Sequence, residues 1–208
     1  MFWDRVAAPY DLFETIYNGK VYRGTGEAVA KEIEPGDVVL ECACGTVAIS
    51  VYIAPVCAKL IATDYSKGML RQTAKKAGAF PNMRVKRADM TNLKCRDNRF
   101  DKVVAGNVIH LLEDSGAAVT ELVRVCKPGG KVIIPTYINM AQGRTGKMAR
   151  LLGKAGADFK RQFDKESYMA FFRDMGYEDV SYRMVPGRMP CMIAVITKTF
   201  GNVVITTD

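Results

Sequence analysis

The chain has 208 residues, of which 49% are hydrophobic and 25% charged; this is ordinary globular composition and excludes a disordered, collagen-like or disulfide-framework protein. At this length a single domain with its own core is expected. Lys and Arg outnumber Asp and Glu by 30 to 22, a formal charge of +8, which suits nucleic acid, an anionic membrane or an acidic substrate, and equally a generically basic enzyme.

No run reaches the roughly 18 apolar residues that cross a bilayer. The opening MFWDRVAAPYDLF carries acids where a signal peptide would be basic and then apolar, so a cytoplasmic protein is expected. Six cysteines (Cys42, Cys44, Cys57, Cys95, Cys126 and Cys191) are scattered without framework spacing and read as reduced thiols.

Residues 1–35 read as a helical cap, with Val21, Ala28, Val29 and Ile33 near helical spacing and Pro35-Gly36 as the stop. Val- and Ile-rich runs follow at 38–43, 59–64, 84–89, 100–107 and 130–136, each strand-like. Helical patterns separate several of them, clearest at Ser66 to Ala77 and Ala117 to Cys126. Such alternation implies parallel strands joined by crossover helices. The last two runs, YEDVSYRMV and CMIAVITKT, are separated only by Pro186 to Pro190, too little chain for a crossover, so they should pair as an antiparallel hairpin. The expected fold is α/β: a Rossmann-like, mostly parallel sheet with helices on both faces, an N-terminal helical cap and an antiparallel β-hairpin at the end. No repeat or linker divides the chain, so 1–208 is read as one domain: cap 1–35, core 36–136, helical lid region 137–176, hairpin and tail 177–208.

Within the core, VLECACGTVAIS (39–50) is a buried strand that ends in a small-residue turn and opens into a helix. Ala43 and Gly45 allow close backbone approach to a ligand, and the helix start presents free amides. Asp64 follows Gly45 by 19 residues, at the end of the next strand, where its carboxylate can accept both hydroxyls of a ribose. Ala43-x-Gly45-x-x-Ala48 is also a degenerate dinucleotide fingerprint, so the loop alone leaves two kinds of cofactor open. No Tyr-x-x-x-Lys pair follows the fourth strand, as a short-chain dehydrogenase would require.

Five elements in order decide the matter. The loop with Glu41 resembles LExxCGTG; DYSKGML (64–70) resembles D-x-S-x-x-M-L; ADMTNL (88–93) resembles A-D-A-x-x-L; FDKVVAGNVIHLLED (100–114) and RVCKPGGKVIIPT (124–136) resemble the fourth motif and the R-x-L-K-P-G-G turn. Together they resemble the class I S-adenosylmethionine-dependent methyltransferases, especially the ubiquinone/menaquinone-biosynthesis and small-molecule branch, over about Tyr10 to Lys198. The resemblance implies S-adenosyl-L-methionine as donor and S-adenosyl-L-homocysteine as product. It also implies Glu41 near the cofactor's amino group, with Ala43, Cys44 and Gly45 around its methionine end and Asp64 on the ribose. Tyr65 and Met69 then lie against the adenine, Asp89 and the Met90 amide on its edge, and Asn107 below the sulfonium. Val47 departs from the family's last glycine, and a bulkier loop beside the cofactor is expected.

Methyl transfer needs alignment and exclusion of water more than a strong acid. Where the acceptor must lose a proton, His110, the single histidine, sits three residues beyond Asn107 and is the candidate base, with a packing histidine as the alternative. Tyr10, in the cap's A-x-x-Y-D, is the candidate cofactor contact outside the core. Cys42 and Cys44 should share a strand face, but no second pair completes a zinc set, so no metal is expected.

A small-molecule acceptor (quinone, phenol, amine or lipid-like) fits best. The alternative is a nucleic-acid (RNA) methyltransferase, against which this chain has Gly106-Asn107-Val108-Ile109 in place of an N/D-P-P-Y/F element and no recognisable RNA-binding module; a non-catalytic cofactor-binding protein is the third reading. Arg144, Lys147, Arg150 and Lys154 fall opposite Met148, Leu151, Leu152 and Ala155 on a helical pattern. That basic amphipathic face could touch anionic membrane, or be an ordinary solvated face. Neither the acceptor atom nor the oligomeric state is legible.

Overall fold

The computed structural model describes Asp4, residues 18–139 and residues 160–199. Tyr10 and the basic stretch 144–155 lie outside the described residues. Helix α1 covers 18–30; β1 (Val38–Cys42) leads into α2 (Ser50–Ile53), which is only one turn long and passes into a 3-10 turn at Ala54–Val56 where Pro55 falls. There follow β2 (Lys59–Asp64), α3 (Lys67–Ala77), β3 (Met83–Arg87), β4 (Phe100–Ala105), a 3-10 turn at Ile109–Leu111, α4 (Ser115–Val125) and β5 (Cys126–Tyr137). Helix α5 (Lys165–Asp174) and the pair β6 (Val180–Val185) and β7 (Cys191–Thr197) complete the described chain.

The seven strands form one open sheet in the order β3-β2-β1-β4-β5-β7-β6. The first five run parallel, and β7 pairs antiparallel with both β5 and β6. Expected and observed architecture agree, including the closing hairpin. Between β1 and β4 the strand order reverses, and there the loops at the strand ends diverge and leave a crevice.

Alternation along the strands sends side chains into two cores. Leu40 and Cys42 join Val103, Ala105, Ile134 and the apolar faces of α4 and α5 on one side. Val39 joins Leu60, Val104, Ile133, the α1 residues Val21, Ala28 and Val29, and Ile33 just after them, on the other. Helices therefore cover both faces, and the central strands are almost continuously apolar because both faces are buried.

Local sequence sets the boundaries. Ser66 Oγ caps α3 by accepting from Met69 N at 3.1 Å, and Asp114 caps α4 by accepting from Ala117 N at 2.8 Å. At Gly130 a Cβ would stand 2.5 Å from the Asp101 carbonyl, so the K-P-G-G turn is needed to bring β5 beside β4, whose register shifts between Phe100 and Lys102. Among the described residues no helix is long and apolar enough to cross a membrane.

Candidate cofactor and acceptor site

A cavity of about 800 Å³ opens at the carboxyl ends of β1, β2 and β4. Of the eleven residues assigned to the cofactor from sequence, ten line it: Glu41, Ala43, Cys44, Gly45, Asp64, Tyr65, Met69, Asp89, Met90 and Asn107. The eleventh, Tyr10, lies outside the described residues.

The loop after β1 is held by its backbone. Ala43, Gly45 and Val47 all take left-handed conformations, with φ of 52°, 55° and 75°; this costs a residue with a Cβ about 1–2 kcal/mol. Cys44 N donates to the Thr63 carbonyl at 2.9 Å, and Thr73 Oγ1 donates to the Gly45 carbonyl at 2.6 Å. Val47 does not crowd the cavity as expected. Its backbone turns the side chain away, 2% exposed, into the core with Ile53 and Val29. The same turn separates Cys42 and Cys44 into opposite cores rather than placing them on one face. Burial pushes the Cys44 thiol well above its usual range, which keeps it un-ionised and unreactive.

Asp64 closes the loop against β2: one carboxylate oxygen accepts from Gly45 N at 2.9 Å and the other from Ser66 N at 2.8 Å. Burial raises its pKa, opposed by these backbone hydrogen bonds. Glu41, fully buried beneath, accepts from Ser50 Oγ at 2.5 Å, and burial pushes its carboxyl up to about 8 against that hydrogen bond. An uncharged acid below an open cavity is poised to ionise when a cation arrives. Tyr65 is exposed at the rim, with the Arg87 guanidinium 4.9 Å from its ring centroid and Arg87 Nε donating to its carbonyl at 3.0 Å. Asp89 accepts from Thr91 N at 2.9 Å and Thr91 Oγ1 at 2.6 Å, an Asx turn that ends β3 early. At the end of β4, Asn107 is left-handed, with φ of 52°, and its N–H donates to the Pro135 carbonyl at 2.8 Å. Its Oδ1 is buried without a partner among the described residues, a state that a ligand donor would relieve.

His110 lies in the 3-10 turn, and its side chain is not among those lining the cavity; its neighbours Val108, Leu111, Leu112 and Glu113 are. Burial lowers its pKa to about 4. Lys160 completes the wall, its Nζ 3.1 Å from Glu113 Oε1. Sequence reasoning missed this side. The apolar run V-I-H-L-L after Asn107 was the available signal for Leu111 and Leu112; Lys160 had none, standing 23 residues beyond the end of β5. Among the described residues no group of three or more His, Cys, Asp or Glu could hold a metal ion.

Asp4 accepts from Ser66 Oγ and Gly68 N at 2.8 Å each, at the start of α3. These bonds, the Gly68 amide first, lower its pKa.

An open sheet reversing at β1/β4, with a cavity at its carboxyl edge and an antiparallel final pair, is the fold of a methyltransferase. A family model described as "Methyltransferase domain" matches residues 40–134. Demethylmenaquinone methyltransferase of Streptomyces avermitilis is 34% identical over 81% of this chain and 74% of its own. The protein of the same name from Desulfitobacterium hafniense is 25% identical over 92% and 87%. A solved S-adenosylmethionine-dependent methyltransferase from Thermotoga maritima superposes with a TM-score of 0.75 at 18% identity, over 95% of this chain and 99% of that one. The chain belongs to the class I S-adenosylmethionine-dependent methyltransferases, in the branch of the demethylmenaquinone methyltransferases. It is an enzyme whose methyl donor is S-adenosyl-L-methionine and whose by-product is S-adenosyl-L-homocysteine.

The residues present fit that cofactor. The cavity offers the carboxylate of Asp64, the ionisable Glu41, the apolar Met69 and Met90, and the unsatisfied Asn107 oxygen.

Proposed function

We propose that this enzyme methylates a small aromatic acceptor of the quinone type in its reduced, electron-rich form. The observation that carries the reading is the apolar wall of Val108, Leu111 and Leu112 beside Asn107, where a flat ring can lie without burying unpaired polar groups. A relative of 34% identity named for demethylmenaquinone supports it.

In this reading Asp64 holds the ribose, Glu41 the amino group and Ala43, Cys44 and Gly45 the methionine end; Tyr65 and Met69 flank the adenine, with Asp89 and the Met90 amide at its edge. Asn107 orients the reacting end, and Tyr10 is a further contact from the cap. S-adenosylmethionine supplies an electrophilic methyl on sulfur, so the protein's work is alignment and exclusion of water. Met69, Met90, Val108 and Leu111 provide the dry walls.

His110 is carried as the candidate base. Burial holds its imidazole neutral, the form that accepts a proton, yet a value of about 4 makes it a weak one. His110→Ala should lower kcat by about 100-fold or more if it is the base, whereas a change under about threefold assigns it to packing.

A nucleic-acid acceptor is not favoured, because the described lining sets the carboxylates of Asp64, Asp89 and Glu113 against the one cation Lys160 and would repel phosphates. The proposal includes a cytoplasmic enzyme, whose free cysteines suit a reducing compartment. It also includes peripheral contact with anionic membrane through Arg144, Lys147, Arg150 and Lys154, which would give access to a lipid-soluble acceptor. The experiment is a mass-spectrometric comparison of methylated product from a reduced demethylated naphthoquinone, simple phenols, amines and phosphatidylethanolamine. Preferred turnover of an amine or a phospholipid would replace this reading.

A further inference from the structure

The acceptor side of the cavity is built from two segments distant in sequence. The turn after β4 presents Val108, Leu111, Leu112 and Glu113, and the chain entering α5 presents Lys160. Arg161 N donates to the His110 carbonyl at 3.1 Å, and Asn139 N donates to the Phe163 carbonyl at 2.8 Å. Asn139 Nδ2 adds a bond to Gln162 Oε1 at 2.8 Å. The backbone at 160–163 is therefore fixed to both the turn and the end of β5.

The side chain of Lys160 is held differently. One of its partners, Glu113 Oε1 at 3.1 Å, belongs to a side chain 85% exposed, and so solvated an ion pair contributes little and opens readily. The other charged groups lining the cavity, Asp64, Asp89 and Glu113, are carboxylates, each of which disfavours a second negative charge nearby. Arg161, the next cation along the chain, is stacked 5.5 Å and 5.3 Å over the rings of Phe163 and Phe171 and does not line the cavity.

We propose that Lys160 is the acceptor-binding cation, exchanging Glu113 for the hydroxyl oxygen of the aromatic acceptor and stabilising its ionised form. The inference rests on the aromatic-acceptor reading above. When the acceptor's O–H bond breaks, the proton passes to His110 where that residue is the base, otherwise to water at the cavity mouth, and the electron pair stays on oxygen beside the ammonium. The ring so charged is the stronger nucleophile: it forms the bond to the methyl carbon while the sulfur–methyl bond breaks, its pair returning to sulfur. The methylated ring carbon then loses its hydrogen as a proton to water while the oxygen regains one, restoring the aromatic ring. Glu113 is the resident competitor that holds Lys160 in place until the acceptor arrives.

This makes the two partners of one ion pair act with opposite sign, which a purely structural clasp would not. The test is the ionisation of 4-nitro-1-naphthol, whose naphtholate absorbs in the visible, titrated on the full-length enzyme saturated with S-adenosylhomocysteine. The wild type should lower the bound naphthol's pKa by about one unit. Lys160→Met should abolish that shift, Lys160→Arg should keep most of it, and Glu113→Gln should enlarge it. Affinity for S-adenosylhomocysteine, measured by calorimetry, should be unchanged in all three. With a reduced naphthoquinone as substrate, Lys160→Met should lower kcat/KM about tenfold at pH 7 and move its acid limb upward.

Loss of the shift in both Lys160→Met and Glu113→Gln, or in neither, overturns the assignment, as does a wild type that fails to bind the probe. If quinols are not methylated but the naphthol shift depends on Lys160, the quinone reading fails and this one stands. If quinols are methylated and Lys160→Met leaves rate and pH profile alone, the reverse holds.

Discussion

The two halves of the cavity are built by different physics. On the cofactor side, Asp64 accepts from two backbone amides, Gly45 and Ser66, and the loop at 43–47 is bonded to β2 and α3. The Asp64 carboxylate and this loop are fixed by the backbone before any ligand binds. On the acceptor side the wall is three apolar side chains on a turn and an ion pair whose acid is 85% exposed. The first half can hold one cofactor throughout a family, while the second can change its acceptor by changing a few side chains without disturbing the sheet.

The largest expected effect tests how far the cofactor side is built for a cation. Glu41 rises from 4.5 to about 8 on burial, so between those values the folded protein keeps a proton that the unfolded chain loses. Stability contributed by the protonated form is whole below about 4.5 and declines as pH rises toward 8, by about 3 kcal/mol at pH 7. Glu41→Gln should therefore stabilise the ligand-free enzyme by up to about that amount at pH 7, by more at pH 8 and by little at pH 4, in denaturant titrations. The same substitution should weaken the cofactor. In the wild type, binding S-adenosylmethionine at pH 7 should release close to one proton, read by calorimetry in buffers of different ionisation enthalpy. No proton release would mean that Glu41 does not meet the amino group.

Next in size is Asp64→Ala, which leaves the Gly45 and Ser66 amides without their acceptor as well as removing the proposed ribose contact. Cofactor affinity should fall roughly 100-fold, about 2.7 kcal/mol, with lower thermal stability. Lys160→Met should leave that affinity intact. Equal loss of cofactor binding in both variants would erase the distinction between the halves.

The cofactor half was also the more legible in the sequence, for a physical reason. A strand buried on both faces, a turn of small residues and an acid at each strand end are local patterns, and Glu41, Asp64, Asp89 and Asn107 all reach one cavity because parallel strands end on one side of the sheet. Side-chain direction at left-handed residues is not local in that sense. Val47 looked like an obstruction and Cys42 and Cys44 looked like neighbours; the reversed backbone at 43–47 sends Val47 into the core and parts the cysteines. The strand expected at 84–89 runs instead over Met83–Arg87, because Asp89 leaves the ladder to bond Thr91. Lys160 was beyond reach because only the tertiary fold brings it to Glu113.

The smallest effect separates two residues of one loop. Ala43 and Val47 are both left-handed, at φ of 52° and 75°, so glycine at either should relieve about 1–2 kcal/mol of backbone strain, less about 0.5–1 kcal/mol for the greater freedom of glycine in the unfolded chain. Ala43 has only a methyl group to lose, and Ala43→Gly should raise stability by about 0.5 kcal/mol, a shift of one or two degrees in Tm for a domain of this size. Val47 is 2% exposed in the core, and removing that side chain forfeits about 2 kcal/mol of burial. Val47→Gly should therefore lower stability by about 1 kcal/mol although it relieves the larger φ. If thermal unfolding showed both variants stabilised, Val47 would be strain without compensation, and the loop would be less firmly built than the contrast with the acceptor side requires.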